Sequence, residues 1–386
     1  MSRAWLRWMP AVAVPAVIAA GVLAGSIPVW AGNQLPEKTP AEVLALLASH
    51  GTTSFSGTLE QTSDLGLPEL PDTGPASGPA SAGGAASIAE LLTGRHTARV
   101  FVDGAAKVRI QVVDRLAERD VIRRDGDVWF YTSKDNTAAH LTLPAMARDV
   151  PLPQQEAPAV PTPDELAKRL LAALDSSTNV TVGPDVEVAG RTAYNLVLEP
   201  RTHGTLVGRA AIAVDGQTGL PLKVSVTARG HAEPAFQEGF TTLSLGAPDD
   251  SLFTFVPPPG ATVKEVRLPP LPPSPVTPSP VTPDKVPGAD LSRDAPATAD
   301  TRGTRPSVTG SGWETVIGIR AAKAGQGSLL GESLLKDPLL AQAAVVVPGG
   351  RLLSTALVNV LFTDDGRVFI GMVPPERLQA AAAAAP

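Results

Sequence analysis

The stretch GRTAYNLVLEPRTHGTLVGRAAIAVDGQTGLP, residues 190–221, is the most informative part of this chain. It holds two strand-like runs, AYNLVLEP and GRAAIAVD, which a Gly/Thr-rich loop joins, and the tight turn DGQTGLP follows them. Tyr194, Leu196 and Leu198 alternate on one face of the first run, whereas Ala193 and Val197 lie on the other. The pattern predicts a curved antiparallel sheet that carries helices on one face and lines an apolar space with the other.

Short strands with turn residues between them continue this pattern on both sides of the stretch. The candidate runs are SFSGTLEQT, TARVFVDG, AAKVRIQVVD, ERDVIRRDGDVWFYTS, AAHLTL, NVTVGPDVEV, PLKVSVTARG and AFQEGFTTLSLG. Hairpin turns are predicted at Asp103-Gly104, at Asp125-Gly126 and, near the C-terminus, at Asp364-Asp365-Gly366. The chain is therefore expected to be rich in antiparallel strands.

Three helix starts share one signature, the capping box. Thr39, Ser87 and Thr162 are each followed three residues later by Glu, so that hydroxyl and carboxylate can cap each other's backbone N–H groups. The helices predicted after these caps contain AEVLALLASH, IAELLTG and DELAKRLLAALDS. Further helical pieces are predicted in LLGESLLKDPLLAQA and PPERLQAAAAA.

Composition excludes several classes of function. The 386 residues are 43 % hydrophobic and 18 % charged, and the formal net charge of −6 argues against nucleic acid as a partner. Cysteine is absent, which removes thiol nucleophiles, disulfides, Cys-ligated zinc and N-terminal lipidation.

The N-terminus has the features of an export signal. Arg3 and Arg7 precede an uncharged, mostly apolar run over 8–31, and Val29-Trp30-Ala31 fits a small-x-small cleavage site. The run is also about long enough to span a bilayer. Residues 1–31 are therefore predicted to be a signal peptide or a membrane anchor. In either case the rest of the chain works outside the cytoplasm, in the periplasm or cell envelope.

Composition also divides the mature chain. Residues 32–263 form the predicted main domain, which an inserted Pro/Gly/Ser/Ala-rich loop interrupts at 65–86. A Pro-rich, extended linker is predicted at 264–306, and it contains PPLPPSPVTPSPVTP. A small C-terminal β/α region is predicted at 307–386.

The sequence contains no recognisable catalytic motif. The five histidines show no metal-ligand spacing, and HExxH, the G-x-S-x-G elbow, the P-loop and the Rossmann glycine pattern are all missing. Asp249-Asp250 is interpreted as a turn and helix cap rather than an acid/base pair. We therefore predict no catalytic, cofactor-binding or metal-binding residues, and no cofactor.

Apolar side chains are the remaining candidates for a functional site. The strand patterns contain aromatic residues that singly suit a core and together suit a cavity for acyl chains: Phe55, Phe101, Trp129, Phe130, Tyr131, Tyr194 and Phe240. Burying lipid gains about 0.8 kcal/mol per methylene, so one long chain is worth roughly 10 kcal/mol before ordering costs. A site of this kind needs shape and apolar lining, not reactive groups.

Several stretches, in this order, resemble the LolA/LolB-like lipoprotein carriers and the related RseB-type periplasmic regulators. They are TTSFSGTLEQTSDLGLPELP, which contains Gln61; RRDGDVWFYTSKDNTAAHLTLP; GRTAYNLVLEPRT with AAIAVDGQTGLPLKVSV; and FTTLSLGAPDDSLFTFVPPPGATV. In the last, Phe253, Phe255, Pro257, Pro258 and Gly260 form F-x-F-x-P-P-x-G. The resemblance covers about residues 40–263.

The resemblance implies an α+β fold, an incomplete antiparallel β-barrel with a helical lid. Family members hold the acyl chains of lipoproteins, or sense lipids, in the apolar hollow. Carried over to this sequence, the candidates for the lining or its support are Phe55, Leu59, Trp129, Tyr131, Tyr194, Leu196 and Leu198. Alternation alone does not say which face is concave.

Three hypotheses follow. The first is an exported, non-enzymatic, LolA-like carrier that binds lipids or lipoprotein acyl chains. The second is an RseB-like regulator that binds an anti-sigma factor or other membrane protein, for which the extra C-terminal region is the motive. The third, a cell-envelope enzyme, lacks a catalytic set. The inserted loop, the linker and the C-terminal region all depart from the compact carriers.

Overall fold

The computed structural model describes residues 35–51, 54–66, 94–113, 118–143, 162–172, 176–266, 307–320 and 343–384. Several sequence predictions lie outside these residues: the signal or anchor, nearly all of the 65–86 loop, the helix after Ser87, most of the linker and the helical piece LLGESLLKDPLLAQA.

A large open sheet of twelve strands dominates the structure. Its strands are β1 (Ser54–Ser63), β2 (Gly94–Asp103), β3 (Lys107–Val113), β4 (Glu118–Arg124), β5 (Asp127–Thr132), β6 (Thr137–Thr142), β7 (Thr178–Val188), β8 (Arg191–Pro200), β9 (Val207–Asp215), β10 (Pro221–Ala228), β11 (Pro234–Leu245) and β12 (Thr262–Val266). Their order is β12-β6-β5-β4-β3-β2-β1-β11-β10-β9-β8-β7. β7 also approaches β11, although other strands separate the two in the sheet, so this half of the sheet curls strongly.

A second sheet of six antiparallel strands follows. It comprises β13 (Ser307–Thr309), β14 (Val316–Arg320), β15 (Ala344–Val347), β16 (Gly350–Ser354), β17 (Asn359–Thr363) and β18 (Arg367–Gly371), in the order β13-β14-β18-β17-β16-β15. Within the described residues the α-helices are α1 (Pro40–Ala48), α2 (Pro163–Ala172) and α3 (Pro375–Ala384). The described part of the chain is thus mostly β.

One strand corrects the prediction of a wholly antiparallel sheet. β12 pairs in parallel with β6, so the large sheet is mixed. β11 and β12 lie at distant positions of the sheet, so residues 246–261 must cross the sheet between them. Arg109 of β3 donates to the carbonyl of Leu252 at 3.2 Å, which fixes this crossing against the strands.

The two capping boxes that the structure describes form as predicted. At α1 the Thr39 hydroxyl accepts from the Glu42 N–H at 3.3 Å, and the Glu42 carboxylate accepts from the Thr39 N–H at 2.7 Å. At α2 the Thr162 hydroxyl and the Glu165 carboxylate make the same exchange, at 3.3 and 3.1 Å. Local sequence therefore sets where both helices begin.

The hairpin turns also follow local sequence. Arg124 pairs with Asp127 across Asp125-Gly126, and Asp125 has a φ of 55°. Val188 pairs with Arg191 in the same way, but the turn residue Ala189 has a φ of 51°, which only Gly, Asn and Asp adopt readily. Ala189-Gly190 therefore holds strain that Asn-Gly would not.

We expect Ala189→Asn to raise the free energy of unfolding by about 1 kcal/mol, because Asn tolerates left-handed backbone and Asn-Gly suits this turn. Ala189→Val should lower it, because a β-branched side chain is worse than Ala at positive φ. Urea unfolding at neutral pH measures both. Equal stability of the two variants would contradict the assignment of strain to this residue.

The turn that ends the opening stretch is held by Asp215, which is buried. Its carboxylate accepts from the Arg191 guanidinium at 2.5 and 3.0 Å and from the Thr218 N–H at 2.7 Å. Burial raises the pKa of Asp215, but the hydrogen bonds from Arg191 and Thr218 outweigh it and leave the pKa lowered. This ionised carboxylate pins the β9–β10 hairpin to β8.

The main core lies between the large sheet and helices α1 and α2. We call this side of β7–β11 the helix face. Tyr194, Leu196 and Leu198 of β8 point into it, where they form one cluster with Val43 of α1 and Ala167 of α2. The Tyr194 hydroxyl donates to the carbonyl of Pro36 at 2.9 Å. The question that alternation left open is thereby answered: these three side chains face the helices.

The small sheet shares this core. Trp313, which is 3 % exposed, and Leu357 belong to the same cluster. The Trp313 indole N–H donates to the Thr178 hydroxyl of β7 at 2.8 Å, and the Leu206 N–H donates to the carbonyl of Met372 at 2.9 Å. The described residues of the small sheet and its connections therefore pack on the large sheet and bond to it.

Candidate ligand-binding surfaces

A buried carboxyl group interrupts the helix face. Glu238 of β11 pairs in register with Gln61 of β1 and with Val224 of β10, and it is 0 % exposed. Neither of its carboxylate oxygens has a hydrogen-bond partner within the part of the chain that the structure describes. Glu238 is thus a polar group in an apolar place.

The surroundings of Glu238 keep it protonated. Burial, and to a lesser extent the nearby Glu165 carboxylate of α2, raise its pKa to about 9, while Arg169 of α2 lowers it in part. Because an ionised carboxylate is expensive to bury without a partner, the neutral acid persists at pH 7.

Two further polar side chains lie beside it. Ser63 and Gln61 occupy the same face of β1, and both are buried. The Gln61 amide donates to the Ser63 hydroxyl at 3.2 Å. We call Glu238, Gln61 and Ser63 the polar trio. Sequence reasoning did not select Glu238, although the alternation of Phe236, Glu238 and Phe240 within an apolar pattern is a visible signal.

A groove of about 490 Å³ lies on the opposite face of the same strands. Its lining comes from β7, β8, β9 and β10: Val186, Glu187, Val188, Asn195, Val197, Arg209, Ala211, Ala213, Lys223 and Ser225. The volume falls within the range of small-molecule sites. Lys223 and Arg209 lie at opposite ends of the groove, because Lys223 pairs with Ala213 and Thr227 with Arg209. None of the seven candidate lining residues lies here.

An aromatic cluster forms where two of the quoted motifs meet. Trp129 stacks on His140 with ring centroids 4.2 Å apart, and Phe255 packs on both Trp129 and Tyr131, at 5.3 and 5.5 Å. The Tyr131 hydroxyl donates to the Asn136 side-chain oxygen at 3.3 Å. The DGDVWFY hairpin and the FTFVPPPG segment therefore come together, with the crossing chain as a cover over β5.

Phe55 and Leu59 belong to a second apolar cluster with Phe240, whose ring meets that of Phe55 edge-on at 5.8 Å. The seven candidate residues thus lie in three places. Phe55 and Leu59 are in this cluster, Trp129 and Tyr131 are under the crossing chain, and Tyr194, Leu196 and Leu198 are under the helices. A role in binding stays a prediction for all seven.

Gly57 makes the Phe240 cluster possible. A Cβ atom at this position would lie 2.5 Å from the carbonyl oxygen of Thr242 and 2.8 Å from the Phe240 ring. We expect Gly57→Ala to lower the free energy of unfolding by about 2 kcal/mol, because a packed core must shift to accept it. Gly51→Ala, which meets nothing within 4 Å, is the control. Similar effects of both changes on urea unfolding would contradict this packing.

Among the described residues, no group of three or more His, Asp or Glu side chains is placed to hold a metal ion. His140 lies between two carboxylates, those of Asp127 and Glu265, each at 3.1 Å. Asp249 accepts from the Ser251 N–H at 2.8 Å and caps a short 3-10 turn, as its sequence position predicted. No helix in the described ranges is both long and apolar enough to cross a bilayer.

No protein-family model matches this chain, and no curated protein matches it. Solved structures do. The MucA/MucB complex of Pseudomonas aeruginosa is 18 % identical, with a TM-score of 0.43, over 89 % of this chain and 96 % of that one. An uncharacterized conserved protein from Thermus thermophilus is 12 % identical, with a TM-score of 0.32, over 58 % and 98 %. A LolA superfamily protein from Nitrosomonas europaea is 9 % identical, with a TM-score of 0.22, over 57 % and 99 %.

The solved structures to which this chain is similar therefore include MucB and a LolA superfamily protein.

Proposed function

We propose that this chain is an exported, non-enzymatic binding protein of the cell envelope, and that it acts as an RseB-like regulator which binds the extracytoplasmic segment of an anti-sigma factor. The proposed division is a signal or anchor over 1–31, a half-barrel over 32–263, a linker over 264–306 and a C-terminal region over 307–386. No cofactor is required.

The observation that carries this proposal is the docking of the small sheet. Trp313 enters the core under β7, and Thr205 and Leu206 both bond to the carbonyl of Met372, at 2.7 and 2.9 Å. Glu314 accepts from the Gly204 N–H at 3.1 Å and pairs with Arg377. A compact acyl-chain shuttle has no need of a second sheet fixed in this way, whereas a protein that binds a polypeptide gains a longer surface.

The test is direct binding with the full mature chain. Synthetic extracytoplasmic segments of the anti-sigma factors from the same cell are titrated calorimetrically, with a scrambled segment as control. We expect saturable binding to one of them. Absence of binding to every segment, in a protein that still unfolds cooperatively, would refute the regulator role.

Deletion of 307–386 is a poor test of this role, because it would uncover the main core where Trp313 and Leu357 pack. A surface variant is better. Arg377→Ala removes the charge pair with Glu314 from a side chain that is 51 % exposed. An exposed pair of this kind contributes about 0–1 kcal/mol to stability, so the fold should persist. Any change in binding would then come from the contact between the small sheet and the large sheet.

The carrier function is the second candidate, and the extent of the helix face favours it. Apolar side chains of β7 to β10 lie side by side beneath α1 and α2, which would then act as the lid. Uptake of a fluorescent fatty acyl probe by delipidated protein, together with co-purified lipid, would support it. A protein that takes up the probe and binds no anti-sigma segment would be a carrier.

A further inference from the structure

The polar trio contains a buried carboxyl group without a partner among the described residues, that of Glu238. Buried Asp215 and Asp120 are each paired with an arginine, Arg191 and Arg109, at 2.5 and 2.6 Å. Glu238 differs, because both its oxygens lack a partner among the described residues even though none of its surface is exposed. An apolar side chain of similar size would suit the fold better at this position. A buried polar side chain that lowers the stability of the fold is typical of a binding site.

The chemistry around the trio limits what can fill it. Glu238, Gln61 and Ser63 offer carboxylate, amide and hydroxyl oxygens within one patch of the helix face. A primary ammonium group has three N–H donors and no acceptor, so it can use several of these oxygens at once. An anionic head would be repelled by the nearby Glu165 carboxylate and would form no ion pair with Glu238, and an alcohol would use fewer acceptors.

The surroundings of the trio are apolar. Val224 lies beside Glu238 on β10, and Phe236 and Phe240 precede and follow it on the same face of β11. An aliphatic chain attached to the ammonium could lie along these side chains, at about 0.8 kcal/mol per buried methylene. Helix α2 packs on β10 beside the site, and Leu166 and Leu170 pack on the cluster from that side.

We propose that the polar trio binds the primary ammonium head of an amine-headed lipid, whose aliphatic chain occupies the helix face once α2 is displaced. Among the described residues, the charged groups near the site are Glu165 and Arg169 on α2, and His96 lies opposite Gln61 on β2. The proposal does not depend on an anti-sigma factor as partner.

Binding of the ammonium group then includes the release of one proton from Glu238 to solvent. Before a ligand binds, Glu238 is a neutral acid at neutral pH, because burial raises its pKa. When RNH₃⁺ enters, the carboxyl O–H releases its proton to solvent, and the resulting carboxylate pairs with the ammonium. One proton is released for each ligand bound at neutral pH, so affinity for the amine should rise with pH up to the pKa of Glu238, about 9.

The experiment uses the full mature, delipidated chain and matched probes below their micelle concentrations: dodecylamine, dodecanol and dodecanoate. Calorimetry in buffers of different ionisation enthalpy gives both the affinity and the protons released. We expect the amine to bind at least about tenfold more tightly than the alcohol, a difference of about 1.4 kcal/mol. Glu238→Gln should remove this preference and the proton release without changing affinity for the alcohol.

The matched control is Glu60→Gln, which changes a half-buried carboxylate on the strand beside Glu238 and should keep the preference. Vesicles with phosphatidylethanolamine, compared with phosphatidylcholine alone, test a lipid as the source of the ammonium. A lysine peptide without an acyl chain should not compete. Equal affinity for amine and alcohol, a preference that survives in Glu238→Gln, competition by the peptide, or no binding of any probe would each overturn the proposal. The test of the anti-sigma partner is unaffected by these outcomes.

Discussion

Glu238→Gln is expected to make the protein more stable at pH 7, by roughly 3 kcal/mol, and to remove a pH dependence that the wild type shows. The pKa of Glu238 is raised from 4.5 to about 9 in the folded protein, so the native state keeps a proton that the unfolded chain releases. Each pH unit inside this window is worth about 1.4 kcal/mol.

The direction in which the free energy of unfolding changes with pH follows from the protons that the folded and unfolded states bind. Below pH 4.5 both states are protonated, and Glu238 does not reduce the free energy of unfolding. As the pH rises from 4.5 towards 9, the unfolded chain is favoured, so stability falls across that window. Glutamine has nearly the same shape and no proton to lose. The variant and the wild type should therefore match near pH 4.5 and diverge steadily above it.

Urea unfolding between about pH 4.5 and 9, followed by circular dichroism, measures the difference. Subtracting the two curves cancels the other carboxylates, including Asp215, whose lowered pKa acts in the opposite direction at acid pH. Glu199→Gln, an exposed glutamate on β8, is the control and should leave the wild-type slope unchanged. Parallel curves for the wild type and Glu238→Gln would mean that Glu238 is ionised in the folded protein.

The features that could be predicted from the sequence are the ones that neighbouring residues determine. Thr39 and Thr162 cap their helices through residues three positions away, and Asp125-Gly126 makes a two-residue turn. In each case the hydrogen bonds close within a few residues, so the pattern is complete in the local sequence.

The features that could not be predicted depend on distant parts of the chain. The parallel pairing of Thr262 with Thr137 follows from where a crossing segment ends. The face that Tyr194 occupies depends on which side α1 packs, and alternation cannot give that. Likewise, a glutamate in a strand is usually solvated, and Glu238 is buried without a partner among the described residues because distant elements pack on this part of the sheet, with α2 on the neighbouring β10. The candidate site was therefore visible only in part, as apolar lining.

Trp313→Ala is expected to lower the free energy of unfolding by about 4 kcal/mol, because it empties a large volume in a core that two sheets share. The indole is 3 % exposed and packs in the same cluster as the residues of β8 and β9. Its N–H also donates to the Thr178 hydroxyl at 2.8 Å, so the substitution leaves a buried hydroxyl without its donor.

Trp313→Phe separates these two contributions. Phenylalanine keeps most of the apolar area and loses the donor, so its cost should be about 1–2 kcal/mol, and adding Thr178→Val should recover part of that loss. Val346→Ala, at a side chain that is 75 % exposed on β15, is the surface control and should stay within about 0.5 kcal/mol of the wild type.

Trp313→Ala should also loosen the attachment of the small sheet to the large one. If the small sheet is fixed to the large one mainly through Trp313, its amide hydrogens should exchange faster in Trp313→Ala than in the wild type, while β8 and β9 stay protected. The free energy of unfolding comes from urea titration, and hydrogen exchange gives the location. A loss below about 1 kcal/mol, with unchanged protection after residue 307, would show that the junction rests on the Met372 backbone bonds instead. In that case the small sheet would still be docked, but its attachment would not depend on the shared core.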